Sequence, residues 1–151
     1  MPSLASWRLS VLSFVGLVAL AWPVAAQAQG RSQFTVCAGC HQANGRGLPG
    51  AFPPLAGSDL VIGAPEIPIR IVILGLQGPL SVNGQRFNST MPAWGSFSDA
   101  DIAATLTYVR SQWGNAASAV TAEQVTAVRR ALAGRTRTLT GPEIEAMKPG
   151  S

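Results

Sequence analysis

Both cysteines and the single histidine of this chain of 151 residues stand within five consecutive positions, Cys37-Ala38-Gly39-Cys40-His41. Whatever fold forms must therefore bring its strongest metal- and cofactor-binding side chains to one stretch of backbone. A disulfide between the two sulfurs would close only a trivial loop and restrain little of the unfolded chain. A structural zinc site needs four nitrogen or sulfur ligands, and only three cysteines and histidines are present. A thioredoxin-type dithiol needs a βαβ setting, and the flanking sequence does not supply one. Covalent attachment of a c-type haem is the reading that uses all three residues. Two cysteines three positions apart lie on one helical turn and match the two vinyl groups on one porphyrin edge. The next residue then carries its imidazole under the iron.

The start of the chain bears on where such chemistry would take place. Arg8 precedes an apolar run from Leu9 to Ala21, Pro23 breaks it, and Ala26-Gln27-Ala28 offers small residues at a cleavage position. This is the pattern of a secretory signal peptide, assigned to residues 1–28. The rival is an uncleaved membrane anchor, but the run is shorter than the ~20 residues that cross a bilayer. The mature chain is expected in the periplasm. Removing Arg8 lowers the 11 basic residues of the chain to ten, against 7 acidic. So weak and dispersed a charge gives no argument for a nucleic-acid partner.

Residues 30–41 are expected to form a helix that ends at the cysteines. Residues 42–57, "QANGRGLPGAFPPLAG", are dense in helix and strand breakers and are expected to be loop. Ser58-Asp59 can cap a single turn, and Glu66 to Gly75 reads as a helix that holds Pro65 and Pro68 in its first turn. Asn83-Gly84 is a strong hairpin signal, which predicts a two-stranded flap too small to stand alone. Ser98 caps the next helix, with Ile102, Leu106, Val109 and Trp113 as its apolar stripe, and Gly114-Asn115 ends it. Beyond Asn115 large apolar residues thin out. Thr121 with Gln124, and Thr140 with Glu143, give two capping boxes in an extension expected to be looser and more basic. The division is thus a helical unit at 30–115 and a C-terminal extension at 116–151. A chain stopped after Asn115 is expected to keep its haem. So many Gly and Pro residues leave the unit little core of its own, and a covalently fixed apolar cofactor would supply the rest.

With His41 on one side of the iron, the usual second donor is a Met thioether or another His. There is no second His. Met1 leaves with the signal and Met147 lies near the end, so Met91, in "STMPAWG", is the candidate, expected in a loop. An open distal site would instead mark a haem enzyme or a gas-sensing subunit.

The stretches "CAGCHQANGRG", "FPPLAG", "MPAWG" and "DIAATLTYVRSQWGN", spread over roughly 31–115, resemble the class I c-type cytochromes, in particular small bacterial monohaem members associated with oxidases, nitrite reductases or dehydrogenases. The resemblance implies an all-α fold wrapped around one covalent haem c, with Cys37 and Cys40 as thioethers and His41 and Met91 as metal ligands. It also implies that the Pro53 carbonyl holds the His41 imidazole. Such a protein carries single electrons between a redox donor and an acceptor and is not an enzyme. The family often has an aromatic residue four positions before the first cysteine. Phe34 is three before, so either the first helix is wound differently or Val36 shares the contact with Phe34.

Weaker candidates complete the reading. Arg70 is either a partner for a haem propionate or a snorkelling surface cation. Trp94 and Asn88 flank Met91, as haem or ligand contacts or as packing and turn residues. Tyr108 and Trp113 read as core. Arg129, Arg130, Arg135 and Arg137 either complement a helix C-terminus or dock an acidic partner, a membrane surface or a membrane complex.

Overall fold

The computed structural model describes residues 27–148, so all but the last two residues of the expected signal peptide lie outside the described residues. Helix α1 spans 27–41 and ends at the histidine. It crosses α4 (Asp99–Ser111) at Gly30, where an added Cβ would lie 2.2 Å from the Ala104 carbonyl oxygen and 2.8 Å from Tyr108 Cβ. Glycine inside a helix costs about 1 kcal/mol relative to alanine, and here it lets two backbones meet. Phe34 completes the crossing, its ring 5.6 Å from Tyr108 and 5.2 Å from Trp113. Val36 is 46% exposed, so Phe34 makes this contact without it. The side chains of Gln29 and Gln33 donate to Asp101, which also accepts from the Ser98 hydroxyl at the N-cap of α4. These donors, Ser98 foremost, hold the Asp101 carboxyl below its usual range.

After one short turn, α2 (Asp59–Ile62), comes α3 (Glu66–Leu74), with Pro65 as its N-cap and Pro68 in the first turn. Backbone N–H groups there have no intrahelical partner, so the prolines remove nothing. Gly75 ends α3 with φ 71°, and a Cβ there would approach the Met91 carbonyl oxygen to 2.6 Å. Strands β1 (Leu76–Val82) and β2 (Gln85–Met91) follow as an antiparallel hairpin in the register Leu76↔Met91 and Leu80↔Phe87. Its turn residues, Asn83 and Gly84, have φ 50° and 76°, both positive as the sequence predicted.

Two expectations are corrected. The hairpin is one part of a three-stranded sheet of order β2-β1-β3, because β3 (Leu139–Thr140) pairs with β1 in parallel, Leu76 opposite Leu139. Nor is the segment after Asn115 loose. Val120, Val125, Val128, Leu132, Leu139 and Ile144 are buried in the same apolar cluster as α3, the hairpin and α4. Both predicted capping boxes form, on α5 (Ala122–Ala131) and α6 (Gly141–Glu145). The tail has few large apolar residues, but the fold buries all of its large aliphatic ones except Met147. The architecture remains helical with this one small sheet.

The stripe on α4 also holds, with Ile102, Leu106 and Val109 buried. Trp113 lies past the end of the helix with φ 53° and packs on Phe34. Arg110, on the same helix, is 2% exposed. Its guanidinium donates to the carbonyl oxygens of Val61, Gly63 and Ser118, and to the Ser118 hydroxyl. Burial lowers its pKa, with the Glu66 charge opposing.

Candidate haem site

Both sides of the site face one apolar cleft with a cavity volume of about 140 Å³. The last turn of α1 supplies Cys37, half-buried, Cys40, exposed, and His41, 8% exposed. His41 Nδ1 lies 2.9 Å from the Pro53 carbonyl oxygen. A carbonyl only accepts, so Nδ1 carries the proton and Nε2 keeps its lone pair, the form that ligates a metal. Burial pushes the His41 pKa down, with the Pro53 bond opposing, and so favours the neutral ring. Burial, and then the neighbouring Cys40, push the Cys37 thiol up to about 11. Dithiol oxidoreductases need the opposite, a depressed thiol pKa, and a buried thioether needs no charge at all.

The loop that carries Pro53 is fixed at close range. Gly47 N–H donates to the His41 carbonyl and Leu55 N–H to that of Gly45. Asn115 anchors it to α4: its amide donates to the carbonyls of Leu55 and Val109 and accepts from Gly57 N–H at 2.8 Å. The sequence showed Asn115 only as part of a helix stop. Its burial between that loop and α4 is a tertiary fact.

Met91 closes β2, where a loop was expected, and lines the same cleft as His41. Trp94 lines it too and packs on Phe97 at 5.4 Å. Asn88 is corrected in both of its readings. It is exposed, in mid-strand opposite Pro79, and neither turns the chain nor lines the cleft. Tyr108 and Trp113, expected in the core, are half-buried and pack against Phe34 at the margin of the smaller apolar cluster. Arg70 is half-buried, does not line the cleft and has no hydrogen-bond partner among the described residues. The arginine run is largely engaged inside the protein: Arg129 pairs with Asp99 at 2.8 Å, and Arg135 and Arg137 with Glu143 at 2.9 and 3.4 Å. Arg135 and Arg137 share the one carboxylate of Glu143, so Arg129 and Arg135 are neutralised within the fold while the 72% exposed Arg137 keeps its charge at the surface.

These residues fit a covalently held haem. The cleft walls are apolar, with Leu76, Leu106 and Val109 among them, and two thiols, an imidazole and a thioether stand on the lining. Among the described residues no group of three or more His, Cys, Asp or Glu side chains could hold a bare metal ion.

Residues 27–113 match the family model described as cytochrome c. A cytochrome c-552 of Thermus thermophilus is 44% identical over 95 residues, covering 60% of this chain and 64% of that protein. The chain thus spans less than two thirds of that relative's length. The gluconate 2-dehydrogenase cytochrome c subunit of Pantoea cypripedii is 36% identical over 98 residues, covering 62% of this chain and 22% of that protein. The cytochrome c subunit of the quinone alcohol dehydrogenase of Gluconacetobacter polyoxogenes is 36% identical over 96 residues, 62% of this chain and 20% of that protein.

Proposed function

The chain belongs to the cytochrome c family, and we propose that it is a periplasmic monohaem carrier of single electrons with His41 and Met91 as axial ligands. The family binds haem c covalently, and the two cysteines stand at the spacing that attachment requires. When bound, the haem supplies a one-electron ferrous/ferric couple. Pro53 orients His41, Cys37 and Cys40 would hold the haem as thioethers, Met91 would be the second ligand to its iron, and the apolar walls would exclude water. The observation that carries this reading is that His41 and Met91, from different elements, line one cleft while Pro53 fixes the imidazole tautomer.

A coordinatively closed iron makes and breaks no substrate bond, so the protein is a carrier. The named dehydrogenase subunits among its relatives support a dehydrogenase as donor, with an oxidase or reductase as acceptor. Contact would be brief, over an interface below about 1,200 Å², at the cleft mouth where Val36 and Cys40 are exposed. The signal-like start supports the periplasm, and among the described residues no helix is long and apolar enough to cross a membrane. Residues 30–115 hold the haem, and the segment after Asn115 is an accessory one whose described part, to residue 148, closes the core.

Met91→Ala tests the ligand assignment. Ferric wild type should show the weak long-wavelength band of Met-ligated haem, and its ferrous form should bind carbon monoxide slowly or not at all. The variant should lose the band and bind carbon monoxide rapidly and stoichiometrically. A wild type that already binds it so has an open iron, and the carrier reading then fails.

A further inference from the structure

The backbone that leaves Met91 is held by a residue far along the chain. From Pro92 to Ser98 the protein has no helix or strand. Its backbone ties are few: Trp94 N–H donates to the Val72 carbonyl and Phe97 N–H to that of Trp94. Two of its carbonyls are gripped by one guanidinium. Arg129 Nη1 lies 2.8 Å from Gly95 O, Nη2 2.9 Å from Phe97 O, and Nε 2.8 Å from Asp99 Oδ1. The other Asp99 oxygen accepts the Thr126 hydroxyl, one helical turn before Arg129 on α5. The Thr126 bond, followed by that from Arg129, holds the Asp99 carboxyl below its usual range.

This geometry suits arginine and no other residue. Three donors of one rigid plane meet three acceptors spaced along Gly95–Asp99, a match that a point-charge ammonium cannot reproduce. The anchor is also firm, since Val125 and Val128 of α5 lie in the main core and α5 packs on both α3 and α4.

We propose that Arg129 is a positioning residue for the Met91 thioether, clamping the 95–99 backbone to α5 so that the loop cannot carry Met91 away from the iron. The proposal rests on Met91 being the axial ligand. Loops with few backbone ties open locally at low free energy, and a thioether leaving the iron would give small ligands access. Charge-assisted hydrogen bonds make such opening rarer, and loss of those from Arg129 should raise the open population roughly ten- to a hundredfold. The C-terminal segment would then set the coordination state of the haem as well as complete the core.

The test uses the full-length, haem-loaded protein and compares Arg129→Met, the milder Arg129→Lys, Arg137→Met as a control at a 72% exposed tail arginine, and Val128→Ala as a core-destabilising control on the same helix. Carbon monoxide association with the ferrous form and the ferric long-wavelength band are measured beside stability in denaturant. Arg129→Met should bind carbon monoxide roughly ten to a hundred times faster with a weakened band, Arg129→Lys should fall between it and wild type, and Arg137→Met should match wild type. Equal acceleration in Val128→Ala at equal loss of stability, or wild-type rates in both Arg129 variants, would overturn the proposal. Absence of the band and fast binding already in wild type would instead remove Met91 as ligand, and the clamp with it. Should Arg129→Met not fold, Arg129→Lys against Val128→Ala decides.

Discussion

The proximal and distal sides of the cleft are held by contacts of different range. On the proximal side the attachment residues and His41 share one helical turn, and the carbonyl that orients the imidazole is 12 residues away. On the distal side Met91 ends a strand whose neighbours include β3, from near the C-terminus, and the following loop is gripped by Arg129, 32 to 34 residues past the carbonyls it holds. The groups that set the first ligand are local, with covalent bonds to come, although Asn115 ties their loop to α4 from 58 to 60 residues away. The distal side exists only when distant parts of the chain are already packed. It should therefore be the first to loosen and the easier of the two to tune.

Truncation after Asn115 is the harshest way to break this comparison. It removes six buried aliphatic side chains, each worth about 1.5–3 kcal/mol, against a whole-domain stability of about 5–15 kcal/mol. The shortened chain should still carry covalent haem by mass, while losing the ferric band and cooperative unfolding. Retention of both would show that the tail is dispensable, as the sequence alone suggested.

Asn115→Ala attacks the proximal side. It strips three hydrogen bonds from a buried amide and should cost about 2–4 kcal/mol in denaturant unfolding. The carbon monoxide rate should stay at the wild-type value. Equal loosening of the Met91 side would mean that the two halves do not act separately.

Glu143 gives the smallest effect. The Thr140 hydroxyl and N–H, then Arg135, depress its pKa from an ordinary 4.5 to about 2. A depressed carboxyl stabilises the fold above its unfolded pKa and loses that contribution as pH falls through the folded one. The difference in thermal midpoint between wild type and Glu143→Gln should thus be full above about pH 4.5, shrink between 4.5 and 2, and vanish below 2. A gap independent of pH would show that charge is not what Glu143 contributes.

Features written in a few adjacent residues were legible in the sequence. Cys37 to His41, the Asn83-Gly84 turn and the caps at Ser98, Thr121 and Thr140 each form from groups within about one helical turn. Features that need a distant partner were not. Nothing beside Arg129 in sequence announces Asp99, Gly95 or Phe97, so the run looked unpaired. Gly30 gives no sign of the Ala104 carbonyl it lies against. Asn88 was misread for a more avoidable reason. Phe87, Ser89 and Met91 alternate as inward positions of a strand, which turns Asn88 to solvent. The hairpin extends to Met91 because Gly75 lets β1 start directly after α3.

Arg110 carries a consequence for redox thermodynamics. Its hydrogen-bond partners are carbonyls and one hydroxyl, so its charge is buried with no carboxylate bound to it and only the nearby Glu66 charge opposing it. It grips the carbonyl of Val61 and follows Val109, and both residues line the cleft. Oxidising the iron adds a second positive charge to the same weakly screened interior, where like charges repel far more than in water. Arg110 should therefore favour the ferrous state and raise the midpoint potential. Arg110→Gln, which keeps a donor but removes the charge, should lower that potential, and a midpoint that does not move would mean solvent screens the guanidinium from the iron.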